Sequence, residues 1–183
     1  MSGSTVYYVA QSLDGFIADR DAALEWLLAF GFEDFQQQYD TFLAGIGAVL
    51  MGAGTYRWLA AQGEAWAYTG TPCWVLSSGE LPPIDGAADA DITVVDDMRA
   101  AVDDARAAAG GHDVWVVGGG STAASLADAG LLDRLHLTVM PITLGAGTRV
   151  LPHTLASIRW HLESAQPIGS AGAVELRYRV RSS

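Results

Sequence analysis

Apolar residues in this chain fall in short runs that end in glycine or hydroxyl clusters, and between the runs they recur at helical spacing. Thr5–Ala10 (TVYYVA) is β-branched and aromatic and predicts a buried strand, interrupted by the turn residues Ser12-Leu13-Asp14-Gly15. Phe35, Tyr39, Phe42 and Leu43 share one face of a helix over Glu33–Ala44. Ala48–Met51 (AVLM) predicts a second strand, ended by Gly52-Ala53-Gly54 and followed by a short helix carrying Thr55, Tyr56 and Trp58. Cys73–Leu76 (CWVL) is a third, stopping at Ser77-Ser78-Gly79, with Pro82-Pro83 and Asp85-Gly86 marking the loop beyond. Ile92–Val95 is a fourth. Asp97 then caps a helix that turns Met98, Ala101, Val102 and Ala105 inward and Asp103, Asp104 and Arg106 outward, closed by Gly110-Gly111. Val114–Val117 (VWVV) is the fifth strand, and Gly118-Gly119-Gly120 turns from it into a helix whose cap is expected at Ser121 or Thr122. Leu135–Met140 is the sixth, and Arg159–Ser164 and Val174–Val180 alternate as two more.

Strands and helices thus alternate to about residue 140, after which helices stop. That order predicts an α/β fold in one domain over residues 1–183: a mostly parallel central sheet flanked by helices, with an antiparallel hairpin at its C-terminal edge.

Composition narrows the chemistry. With 183 residues, half of them hydrophobic, the chain can bury a full core. A net charge of −11 with no basic stripe argues against nucleic acid as a partner. All ten basic residues are arginine, which removes the Walker lysine, Schiff-base chemistry and any lysine general base. Cys73 is the sole cysteine, and His112, His136, His153 and His161 are scattered, so no metal-ligand spacing is visible. No apolar run reaches membrane-spanning length and no export signal is apparent, so no membrane partner and a cytoplasmic location are expected.

In an open parallel sheet, ligands collect at the carboxyl ends of the strands. Four predicted strand ends carry small or hydroxyl residues: Ser12–Gly15, Gly52–Thr55, Ser77-Ser78 and Gly118–Thr122. Glycine lets backbone approach a phosphate closely, and a helix N-terminus supplies unpaired N–H groups, so two such junctions together suit a diphosphate. For either junction alone, a tight turn explains the glycines as well. Gly118–Ala123 also fits the dinucleotide fingerprint G-x-G-x-x-A, but the acidic residue due about 20 positions later is missing where Thr138–Thr143 reads TVMPIT. A standard Rossmann domain is therefore not expected.

The order SLDGFIA (12–18), MGAGTY (51–56), VLSS (75–78), VVGGGST (116–122) and LLDRLHLTVMPITLGAGTRVL (131–151) resembles the dihydrofolate reductase-like superfamily. It is most similar there to stand-alone relatives of the reductase domain of the bifunctional riboflavin-biosynthesis deaminase-reductase. The resemblance implies a dihydrofolate reductase-like sheet, a nicotinamide cofactor (NADPH, with NADH possible) along its carboxyl edge, a small-molecule substrate and a homodimer. It implies that Ala10 and Ile17 border the nicotinamide and that Gly52, Ala53, Gly54 and Thr55 contact phosphates and adenosine. Leu76, Ser77 and Ser78 would border adenine and the 2′-phosphate, and Val117, Gly118, Gly119, Gly120, Ser121 and Thr122 would form the second diphosphate loop. Thr138 matches a threonine of the pterin pocket. The acid that protonates pterin would fall near Gln36, with Asp34 and Asp40 as neighbouring carboxylates, so folate reduction is disfavoured. Ala53 stands where folate reductases carry a basic residue for the 2′-phosphate, leaving Ser77, Ser78 and Arg57 to read it.

Individual residues keep two readings. Asp14 is a proton relay or substrate acceptor, and equally an Asp-Gly turn residue. Tyr39 is a core aromatic whose hydroxyl could reach substrate. The activity implied by resemblance is reduction by 5-amino-6-(5-phosphoribosylamino)uracil reductase. A non-catalytic nucleotide-binding module and a dihydrofolate reductase are the alternatives.

Overall fold

The computed structural model describes residues 3–152 and 155–181, which leaves His153 outside the described residues. The backbone runs β1 (Thr5–Ser12), β2 (Phe16–Ala18), α1 (Glu25–Leu28), a 3-10 turn (Glu33–Phe35), α2 (Gln36–Leu43), β3 (Ile46–Gly52) and α3 (Ala53–Ala61). It continues with β4 (Cys73–Leu76), β5 (Ile92–Val95), α4 (Met98–Ala108), β6 (Asp113–Val116), α5 (Gly120–Asp128), β7 (Arg134–Met140), β8 (Thr148–Arg149), β9 (Trp160–Ile168) and β10 (Ala173–Val180). Eight strands form one sheet in the order β5-β4-β3-β6-β1-β7-β10-β9, and β2 pairs with β8 in a small second sheet. The six strands from β5 to β7 are mutually parallel; β10 runs antiparallel to β7, and β9 antiparallel to β10. The mixed sheet with its antiparallel C-terminal edge is the architecture that the element order implied.

Strand periodicity decides which residues meet which layer. Along β1, Tyr7 joins a core with Leu50, Val114, Val116 and Leu135, covered by Ala101 and Val102 of α4 and Ala123 and Leu126 of α5. Tyr8 turns to the other face, where Val49, Met51 and Trp115 meet Tyr56 of α3 and Tyr39 and Phe42 of α2. The central strands are buried on both faces and therefore read as continuous apolar runs. α4 shows the matching helical logic: Ala101, Val102 and Ala105 are buried while Asp97 caps its N-terminus, accepting from the Arg99 and Ala100 amides. At the amino edge of the sheet, Arg106 of α4 donates to Asp133 and to Thr5 Oγ1, while Asp133 also accepts from the Thr5 amide at 2.7 Å. Cys73 is buried in this core and burial pushes its thiol up to about 12, so it packs as a small hydrophobe.

Two expectations are corrected. The N-cap of α5 is Gly119, with no side-chain cap, because the helix begins at Gly120 and puts the Ser121 and Thr122 hydroxyls inside its first turn. The strand expected over Arg159–Ser164 runs on to Ile168, since it tracks the full length of β10 with one register shift beside Arg177. α1, β2 and β8, none longer than four residues, were not anticipated.

Candidate functional site

The two glycine junctions lie side by side because β3 and β6 are adjacent parallel strands. At the end of β6, Gly118 has φ +72°, the left-handed conformation open to glycine, and a Cβ there would sit 2.6 Å from the Thr55 side chain. Gly52 is tight against Thr122 in the reciprocal sense: a Cβ there would collide with the Thr122 hydroxyl. Thr55 Oγ1 accepts from the Gly119 amide at 3.0 Å and thereby ties the start of α3 to the start of α5.

Both helices open without a side-chain cap, from Gly52 and Gly119 respectively, unlike α4 with its Asp97. Their first-turn N–H groups keep the partial positive charge that attracts anions. A Cβ on Gly54 would meet nothing within 4 Å, so the backbone of that first turn is open to a bound group.

These junctions border a cavity of about 950 Å³ along the carboxyl edge. Of the residues singled out from sequence, Ala10, Ile17, Gly52, Ala53, Gly54, Thr55, Leu76, Ser77, Ser78, Val117, Gly118, Gly119, Ser121 and Thr122 line it. Gly120 does not; it is buried behind the loop, against the backbone of Arg149 and Val150. Leu24, Leu27, Trp58, Leu59 and Tyr68 add an apolar wall to the same cavity. Burial raises the Tyr68 phenol well above its usual range, so it keeps its proton. Val9, Ala18, Ala22, Asp96, Met98, Ser125 and Thr148 complete the lining. Asp96 follows β5 directly, and the strand-end rule applied to Ile92–Val95 points to it. Leu24 and Leu27 sit in and beside a four-residue helix that carries no pattern of its own.

The proposed chemistry-bearing side chains fare differently. Asp14 does not line the cavity: its carboxylate accepts from Ser12 Oγ at 2.6 Å and from the Leu144 and Gly145 amides at 3.1 and 2.7 Å. The Ser12 hydroxyl, followed by the Leu144 and Gly145 amides, holds the acid down at about 2. Both oxygens are thus engaged within the turn and the side chain stays off the cavity wall, an arrangement that matches the turn reading of Asp14. Its structural part is to pin the turn at Leu144 to the loop that carries β2, and so to set Ile17, Ala18 and Thr148 at the cavity mouth. The folded-state value lies below the ordinary one, so these bonds persist above about pH 4 and are lost as the pH falls through about 2. Amide exchange at Leu144 and Gly145 is expected to be slow at pH 5 and to accelerate in Asp14→Ala; equal rates in the two proteins would contradict this role.

Gln36 is exposed and donates to Asp40 on its own helix at 2.6 Å. Asp34 accepts from the Ser170 amide and hydroxyl at the β9–β10 turn. Neither these three residues nor Tyr39 and Thr138 reach the cavity. Tyr39 packs edge-on against Phe32 and Trp115, with ring centroids 5.5 and 6.1 Å away. Thr138 is buried on β7 beside Ala10, with its hydroxyl facing the Tyr8 phenol. Arg57 is exposed and donates to the Glu80 carbonyl at 3.3 Å. A pterin-type pocket built from Asp14, Gln36, Tyr39 and Thr138 is therefore not assembled. The helix start moves Gln36 into solvent, and aromatic packing fills the space between α2 and the sheet.

Comparison with known proteins agrees with the fold. Residues 5–173 match the family model described as the RibD C-terminal domain. The chain is 27% identical over 184 residues to the uncharacterised Bacillus subtilis protein YwjB, covering 97% of this chain and 98% of that one. Among solved structures, a Shewanella sp. PV-4 protein assigned to riboflavin biosynthesis superposes with a TM-score of 0.84 at 22% identity, over 100% of both chains. Dihydrofolate reductase from Enterococcus faecalis, complexed with NADP(H) and RAB-propyl, gives 0.66 at 17% identity over 100% of this chain and 99% of that one. With its dihydrofolate reductase-like sheet and a match over nearly its whole length, the chain belongs to the RibD C-terminal domain family.

Proposed function

We propose that the protein is a reductase that uses a reduced nicotinamide dinucleotide to transfer hydride to a small heterocyclic substrate. One observation carries this reading: two uncapped helix N-termini, joined by the Thr55–Gly119 hydrogen bond, open on one long cavity. The residues present fit a dinucleotide. The first turns of α3 and α5 would hold its diphosphate, and Ala10, Ile17 and Ala18 would border the nicotinamide. Bound there, the cofactor supplies the hydride. The chain's own task is then to orient and to exclude water, to which the apolar lining residues Val9, Leu24, Leu27, Trp58 and Leu59 contribute.

The family favours 5-amino-6-(5-phosphoribosylamino)uracil as the substrate to test first. A second reading, a nucleotide-binding module without turnover, is favoured by the fact that, among the described residues, Asp96 after β5 is the only carboxyl group lining the cavity. Loss of reduced-nicotinamide absorbance is to be followed with the ribosylamino-pyrimidine, with dihydrofolate and with no substrate. Oxidation that requires the pyrimidine supports the reductase. Cofactor binding without oxidation in every arm supports the module.

A further inference from the structure

The cavity follows the strand order. It passes from Ala10 on β1 to Val117–Gly119 after β6, then to Gly52–Thr55 after β3, Leu76–Ser78 at β4 and Asp96 after β5. If the diphosphate sits at the β6–β3 junctions and the reacting ring takes the β1 end, the adenosine must lie over β4 and β5. This step rests on the reductase proposal. At that end the lining is Ser77, Ser78, Asp96 and Met98, and a second depression continues it past Ser77, Ser78 and Asp96 to Asp97.

A ribose 2′-phosphate brings close to two negative charges and calls for arginine or lysine forks. The chain has no lysine, and among the described residues no arginine or histidine lines the cavity. Arg57 is engaged with the Glu80 carbonyl instead. The remaining positive feature at this end, the N-terminus of α4, is already taken: Asp97 accepts from the Arg99 and Ala100 amides at 2.8 and 3.1 Å. Asp96, by contrast, is exposed and has no hydrogen-bond partner among the described residues. A carboxylate there repels a phosphate and accepts a hydrogen bond from a ribose hydroxyl.

We infer that the cavity selects NADH over NADPH, with Asp96 as the specificity-determining residue that accepts from the adenosine 2′-hydroxyl. This reverses the cofactor order that the family resemblance implies. The test is titration of the protein with NADH and with NADPH, followed by quenching of tryptophan fluorescence, since Trp58 is on the cavity wall. NADH should bind about tenfold or more tightly than NADPH, Asp96→Asn should weaken NADH and close most of that gap, and Asp96→Arg should invert it. Circular-dichroism melting should be unchanged in both variants, because Asp96 is exposed. NADPH binding as tightly as NADH overturns the inference, and an unchanged ratio in Asp96→Asn overturns the role of Asp96. Failure of both dinucleotides to bind is a separate result that removes the inference together with the reductase proposal.

Discussion

Gly118→Val is expected to abolish dinucleotide binding, weakening it by more than about a hundredfold, and to lower the melting temperature as well. Two penalties act together. Valine at φ +72° is β-branched in left-handed backbone, a conformation that costs on the order of 1–3 kcal/mol. Its Cβ would also fall 2.6 Å from Thr55 Cγ2 and Oγ1. Thr55 can yield only by giving up the Gly119 amide, which separates the starts of α3 and α5. Gly54→Ala is the companion variant that separates binding from folding. Gly54 lies inside α3 with no neighbour for a Cβ, so alanine should leave stability equal or higher, by up to about 1 kcal/mol, while intruding on the phosphate end of the cavity. Thermal unfolding and fluorescence titration of both variants read the two effects independently. Full dinucleotide affinity in Gly118→Val would show that the junction does not hold the ligand.

The second large effect concerns His136 on β7, which does not line the cavity. Its ring lies edge-on to Tyr8 and Phe42, with centroids 6.4 and 5.8 Å away, and shares its sheet face with Glu175 and Arg177 of β10. Burial first, then the Arg177 and Arg134 charges, depress its pKa to about 4. The unfolded chain takes up a proton near pH 6.5 that the folded chain refuses until about pH 4. The stability contributed by the neutral ring is therefore complete above pH 6.5 and drains away as the pH falls toward 4, by about 2 kcal/mol at pH 5. Urea unfolding at pH 7 and pH 5 should show this loss in the unsubstituted protein and a much smaller one in His136→Gln. The same slope in both proteins would assign the effect to other groups.

The fold was legible because its core strands are covered on both faces. Runs such as Ala48–Met51 and Val114–Val117 have no polar alternation to confuse with a helix, and turn residues bound each one. β2 and β8 escaped because a three-residue and a two-residue strand have no measurable period, and they come from parts of the chain far apart in sequence, which Asp14 ties together through the Leu144 and Gly145 amides. The glycine junctions could be read from sequence because two of them occur at strand ends of one sheet; either alone is explained equally by a tight turn. Gln36 and Thr138 could not, since correspondence along the chain says nothing of rotation about a helix or of aromatic packing between α2 and the sheet. The cap of α5 was misplaced for a related reason: the absence of a capping side chain, normally a weakness, is what leaves the helix start open toward the cavity.

The most direct test of the account is a crystal structure of the protein soaked with NADH. The diphosphate should lie between the first turns of α3 and α5, beside Gly54 and Ser121, with the adenosine toward Asp96. A dinucleotide bound elsewhere, or one whose diphosphate lies outside those two turns, would contradict it.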